Sequence, residues 1–324
     1  MSNAIELLAT ISRSEFLLPN LGSLIMGLAW GANPPLGLIN GIILIILSFS
    51  IINLSSAIGA QANTLSDYEL DMKDKRKKEL VQALDSFGHK KVEVVLVIEF
   101  ILTLVLVSIF MLIQEKLILL PLWIVGIFLG VEYSAPPLRL KSRSWIAPIS
   151  LMLVLAIFPV LFAFYTFTFE INTFFLISLG GLALTIYGVI IPTEIRDYFG
   201  DKAMNIQTMT VRLGLSRATL LGTTLLITGA LLTGTALLLE WAFNEHLWLS
   251  IFLLAIPMAV LFVIGKFRKL YSLSKDYETS KDQDRSTLEE KIVNLSSDNP
   301  QWIMLVTQTY SLLSIMLLAS KFIF

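Results

Sequence analysis

Asn63, Asp67 and Asp71 place three oxygen-bearing side chains at intervals of four residues. Glu194, Asp197 and Asp201 form a second acidic set, at spacings of three and four. On an α-helix, residues three or four apart share a face, so each set predicts one stripe of oxygen ligands. Such stripes suit a hard divalent cation. Magnesium takes oxygen ligands, keeps several waters, and is commonly bound through one or two carboxylates together with the phosphates of a substrate. Glu69 and Asp74 fall off the first stripe and are expected in solvent. For either stripe alone, a solvated helix end is the plainer explanation.

Between the two sets runs a basic loop that starts at Tyr133 and contains Pro136, Pro137, Arg139 and Lys141. The prolines forbid helix continuation and predict an extended loop, in which Arg139 and Lys141, two apart, point to one side. A fixed pair of cations beside a metal site suits a diphosphate clamp. Basic anchoring at a membrane face would also account for them. The basic run at 73–78 is explained as readily by attraction to anionic lipid headgroups.

Composition says which elements must hold these residues. The chain has 324 residues, 55% hydrophobic and 15% charged, with a mean hydropathy of +0.76. That is too apolar for a water-soluble domain of this size, so membrane lipid must solvate most of it. A helix needs about 20 mostly apolar residues to cross about 30 Å of hydrocarbon. Nine segments are predicted to cross: 16–33, 37–61, 92–113, 117–133, 145–166, 173–194, 217–241, 247–265 and 302–323. Cysteine is absent and the only histidines are His89 and His246, both expected at the surface, so any metal must be held by oxygen. The net charge of −1 carries no footprint for nucleic acid, and no such partner is expected. No basic region and cleavage site precede the first apolar run, so no removable signal peptide is expected.

With nine crossings, the loops after the even-numbered spans share the side of the N-terminus. Of the 24 Lys and Arg, all but Lys116 and Lys321 fall there, which makes that side cytoplasmic by the positive-inside rule. Both acidic stripes and the Tyr133 loop lie at this face, and the C-terminus lies opposite. Carboxylates beside a bilayer are costly unless they have partners or a task, so two stripes at one depth point to a site. The opposite loops, 33–35, 114–116, 167–172 and 244–246, are too short for chemistry. The polar stretch 266–301, between the eighth and ninth spans, reads as a solvated cytoplasmic loop, or else as an amphipathic surface helix or lid. The whole chain, 1–324, reads as one domain.

Taken together, these residues resemble the signatures of the UbiA superfamily of intramembrane prenyltransferases. Asn63, Asp67 and Asp71 are similar to its first motif, and Asp197 with Asp201 to its second. The stretch from Gly200 through Thr208 and Arg212 to Gly214 is similar to the family's segment on the C-terminal side of the second motif. Ser12 and Arg13, ahead of Phe16 and Pro19, resemble the approach to the first helix. The Tyr133 loop looks like that of members such as chlorophyll synthases and homogentisate prenyltransferases. Three features depart from the pattern: Thr64 stands where many members have Asp, Glu194 where Asn or Asp is common, and the Arg-Pro pair that commonly follows the first motif is missing, with Lys75 to Lys78 near that place.

The resemblance implies an all-α bundle of nine transmembrane helices around a central cavity, with a lipid-facing opening. It implies two magnesium ions bridging a prenyl diphosphate donor to the motifs, Asn63, Asp67 and Asp71 on one side and Asp197 and Asp201 on the other, with Glu194 beside them. Tyr133, Arg139, Lys141 and Lys202 would contact the diphosphate. Ionising an allylic diphosphate concentrates charge on the leaving group, where metals and cations act, and leaves a cation that water would quench. Phe158, Phe162, Tyr187 and Trp30 are candidate walls for that cation, or ordinary packing. Asn20 and Glu132 would line the cavity or tie helices together. The implied reaction is transfer to a hydrophobic acceptor: an aromatic, a quinone precursor, a tetrapyrrole or a lipid. The alternative is cyclisation of the donor on the same scaffold. A transporter would place its acids near mid-membrane rather than at helix ends.

Overall fold

A computed structural model of the chain describes residues 3–32, 38–280 and 282–322. Among these residues every regular element is helical and no strand occurs. This is the all-α architecture expected where the backbone must satisfy its own hydrogen bonds in hydrocarbon. The residues group into two compact units, Met1–Leu140 with Leu161–Thr168, and Lys141–Val160 with Phe169–Phe324.

The first unit contains α1 (Ala4–Ile11), α2 (Leu17–Gly31), α3 (Leu38–Asp71), α4 (Lys78–Phe87), α5 (His89–Gln114) and α6 (Leu119–Glu132). A capping box starts α1: the Asn3 side chain accepts from Ile5 N, and Glu6 accepts from Asn3 N. Leu24, Ile51, Phe110, Trp123 and Phe162 meet in one buried cluster that joins α2, α3, α5 and α6. Along α5, the exposed side chains Val94, Ile98, Ile101, Val105, Ile109 and Leu112 recur every three or four residues. Val92, Thr103, Val107 and Phe110 form its buried face. A helix apolar on both its inner and outer faces is solvated by lipid.

In the second unit, α7 (Ile146–Met152) passes through a π turn at Leu153–Ile157 into the start of α8 (Phe158–Phe167), whose residues from Leu161 onward belong to the first unit. Then come α9 (Thr173–Ala203), α10 (Met209–Leu213), α11 (Leu215–Phe243), α12 (Ala255–Thr279), α13 (Asp282–Ser297) and α14 (Asn299–Phe322). The backbones of α9 and α11 nearly touch. A Cβ at Gly181 would lie 2.7 Å from Gly229 O, and one at Gly188 would lie 2.9 Å from Gly222 O. Where lipid removes the hydrophobic drive between helices, small residues let van der Waals contact take its place. Behind this seam, the Thr185 and Tyr310 hydroxyls are 2.8 Å apart.

Seven helical runs among the described residues are long and apolar enough to cross a membrane. The segments expected as the first and fourth crossings form α2 and α6, of 15 and 14 residues. At 1.5 Å per residue these span about 22 and about 21 Å, less than a perpendicular crossing takes. For α6 the cause is local: Glu115 and Lys116 precede it, and it ends at Glu132 before the paired prolines. The expected loop 33–35, Lys281 and residue 323 lie outside the described residues. Helices α3 and α9 outrun their expected spans, to Asp71 and Ala203, so both acidic stripes ride on continuous helix.

The polar stretch 266–301 takes the helical alternative rather than that of an irregular loop. Helix α12 continues to Thr279, and α13 packs fully buried Ile292 against Tyr187, Ile191 and Leu270. A few apolar side chains at helical spacing suffice to fold a charged segment onto a neighbour.

The glycine seam makes a prediction. Gly181→Val and Gly229→Val should each cost about 1–3 kcal/mol or more by forcing the helices apart, read as earlier thermal aggregation of the detergent-solubilised protein. Gly180→Ala should leave that temperature unchanged, because a Cβ there meets nothing within 4 Å.

Candidate functional site

Asp71 is the last residue of α3, with Asp67 one turn before it and Asn63 two turns before it. A carboxylate at this end of a helix faces the negative pole of the helix dipole. Asp67 and Asp71 are also only 6% and 3% exposed, so both need cations. Arg139 lies 3.6 Å from Asp67 Oδ1, and Lys77 lies 2.6 Å from Asp71 Oδ1. The Ser134 hydroxyl donates to Asn63 Oδ1. Thr64 turns away from this stripe, donating to Ala60 O at 2.9 Å and to Ile11 O at 3.3 Å, so it serves packing rather than ligation.

The Tyr133 loop differs from expectation. Rather than running extended, it turns: Leu138 N donates to Glu132 Oε2 at 3.0 Å, and Arg139 N donates to Ala135 O at 3.0 Å. Arg139 has φ 42, and Leu140–Ser142 form a 3-10 turn. Prolines remove helix donors but are at home in turns, so the strand-like alternation of Arg139 and Lys141 does not arise. Arg139 reaches Asp67 from its left-handed backbone instead. Glu132 closes this loop, and Tyr133 and Lys141 are half-buried.

At the end of α9, Glu194 is gripped by two hydroxyls: Thr210 donates to Oε2 at 2.8 Å and Tyr187 to Oε1 at 3.3 Å. Thr210 is carried by α10, which Thr208 caps by accepting from Val211 N at 3.3 Å. Gly214, with φ 85, then admits the turn into α11, where Glu278 accepts from Ser216 N at 3.0 Å. Asp197 pairs with its neighbour Arg196 at 3.0 Å, and Asp201 is half-buried one turn later. Lys202 lies 3.3 Å from the Tyr198 hydroxyl and 5.4 Å from its ring centroid.

Among the described residues, no three His, Asp or Glu side chains converge as a ready-made metal cage. What each helix end offers is a pair of aspartates, which fits magnesium, an ion that completes its shell with water and substrate phosphate. Asp74 is not the free solvent acid expected. It caps Lys75–Lys77, and the Arg76 side chain, 2.6 Å away, holds its carboxyl below the usual range. Trp30, Phe162 and Tyr187 are buried in packing, and Phe158 is half-buried. Asn20 donates to Asn53 at 2.9 Å, a tie between helices. His89 lies against Asp85 and Tyr68, and His246 is half-buried. Ser134 and Thr210 could not be picked out from the sequence, and Lys77 only as one of the basic run at 73–78, because no spacing rule links them to the polar groups they serve.

Against known proteins, the family model described as "UbiA prenyltransferase family" matches residues 17–280. No curated protein matches the sequence. Among solved structures, a UbiA homologue from Archaeoglobus fulgidus, described as bound to DMAPP and Mg2+, is 16% identical with a TM-score of 0.61, covering 93% of this chain and 99% of its own. A digeranylgeranylglyceryl phosphate synthase structure is 16% identical with a TM-score of 0.60, covering 97% and 99%. A UbiA homologue from Aeropyrum pernix K1 is 13% identical with a TM-score of 0.60, covering 90% and 96%. At such identities the likeness is one of fold.

The grip on Glu194 is open to measurement. Thr210→Val leaves a carboxylate oxygen short of a donor and should lower stability by about 1–3 kcal/mol, seen in thermal unfolding in detergent. Thr210→Ser keeps the hydroxyl and should match the native protein.

Proposed function

The chain belongs to the UbiA prenyltransferase family, and from that premise we propose that it transfers a prenyl group from an isoprenoid diphosphate to a hydrophobic acceptor dissolved in the bilayer, using two magnesium ions. It is a prenyltransferase and an integral, multi-pass membrane protein. The observation that carries the donor half is the buried pair Asp67 and Asp71 at the end of α3, each beside a cation. Buried carboxylates matched by basic groups are suited to exchange those partners for a metal and a diphosphate. The Archaeoglobus fulgidus homologues described with DMAPP or GPP and Mg2+ support a donor of this class.

On this reading Asn63, Asp67 and Asp71 hold one metal–diphosphate group, and Asp197 and Asp201 hold the other. Glu194, occupied by Thr210 and Tyr187, orients the second motif. Magnesium bound there supplies charge neutralisation for the departing diphosphate. Arg139, Lys141, Lys202 and Tyr133 donate to the diphosphate oxygens, where negative charge grows as the carbon–oxygen bond breaks. The apolar helices keep water from the allylic cation. The acceptor is an aromatic, quinone-precursor, tetrapyrrole or lipid molecule, brought to the site by partition into the membrane. The positive-inside pattern favours a cytoplasmic site and N-terminus.

Asp67→Ala and Asp197→Ala should each lower turnover by at least about a hundredfold, while the proteins still elute as folded species, and a chelator should stop the native enzyme. Full activity in either variant, or without divalent metal, would sink the two-motif assignment. Products from geranylgeranyl diphosphate and a panel of acceptors, identified by mass spectrometry, should be prenylated acceptors. Hydrocarbon released without acceptor would replace transfer by cyclisation.

A further inference from the structure

Lys77 is not among the diphosphate donors assigned above, yet it makes the short ion pair with Asp71. Its ammonium sits 2.6 Å from Oδ1 of a side chain only 4% exposed, while its own side chain is 27% exposed and so within reach of solvent. The connection out of α3 brings it back: Asp74 caps the turn Lys75–Lys77, returning the chain to the helix end six residues after Asp71. A cation there offsets both the Asp71 charge and the negative pole of α3.

A divalent metal on the Asp71 carboxylate would stand within a few ångströms of this ammonium, and the two would repel. A diphosphate reverses the sign, since its oxygens attract the ammonium and the metal alike. We propose that Lys77 guards Asp71 against free divalent metal and swings to the diphosphate when metal and diphosphate arrive together, so that the first motif loads its metal with the donor rather than ahead of it. Arg139, 3.6 Å from Asp67 and 40% exposed at its side chain, biases the adjacent carboxylate the same way. This rests on the assignment of Asp71 as a metal ligand.

The test uses the full chain in detergent, with manganese as the probe and bound ion followed by electron paramagnetic resonance, with and without inorganic pyrophosphate. Lys77→Met should bind manganese alone about fivefold to tenfold more tightly, and manganese with pyrophosphate weaker by a similar factor. Lys77→Arg, which keeps the charge, should restore both towards native values. Asp71→Asn identifies the binding that depends on this carboxylate. If it lowers manganese binding while Lys77→Met changes nothing, or moves both affinities in one direction, the guard is overturned and the metal site stands. If Asp71→Asn binds manganese as the native chain does, the metal assignment fails and the guard fails with it.

Discussion

A carboxylate next to hydrocarbon has neither water nor mobile ions to solvate it, so the protein itself must supply a partner for every acid buried near the membrane. Within the first unit Asp67 faces Arg139 and Asp71 faces Lys77. Within the second, Glu194 takes two hydroxyls, and Glu240, at the far end of α11, takes the amides of Asn172 and Asn244 at 2.8 and 3.1 Å. The difference in partner carries meaning. Neutral donors fix a carboxylate in place, whereas a cation that reaches solvent can be withdrawn. The two aspartates at the end of α3 have the exchangeable kind.

That requirement also explains the folding of segments that would otherwise be loops. The chain after α6 doubles back through Glu132, Ser134 and Arg139, each of which answers a polar group on α3 or in the turn itself. The chain after α9 folds into α10 because Thr210 meets Glu194, and Glu278 secures the start of α11 just beyond. Precision at both acidic ends comes from short irregular pieces held by hydrogen bonds, on long helices that supply direction. The helices in turn are locked by backbone proximity, most tightly at the seam of Gly181, Gly188, Gly222 and Gly229. Such a seam tolerates no added methyl group, and it sets where the α9 stripe ends up within its own unit.

Periodicity and charge placement are properties of neighbouring residues, and the sequence by itself determined what they determine: an all-helical membrane chain, with two stripes of oxygen ligands at helix ends and a basic loop between them. It also carried the family, because the motifs are short and contiguous. Tertiary structure alone decided the helical packing of 266–301, the turn that puts Arg139 on Asp67, and the assignment of Lys77 to Asp71 and Thr210 to Glu194. The physical reason is that a helix-face rule reaches four residues, whereas a charge in low dielectric takes whichever partner comes within about 4 Å. For Asp67 and Glu194 that partner lies 72 and 16 residues away along the chain.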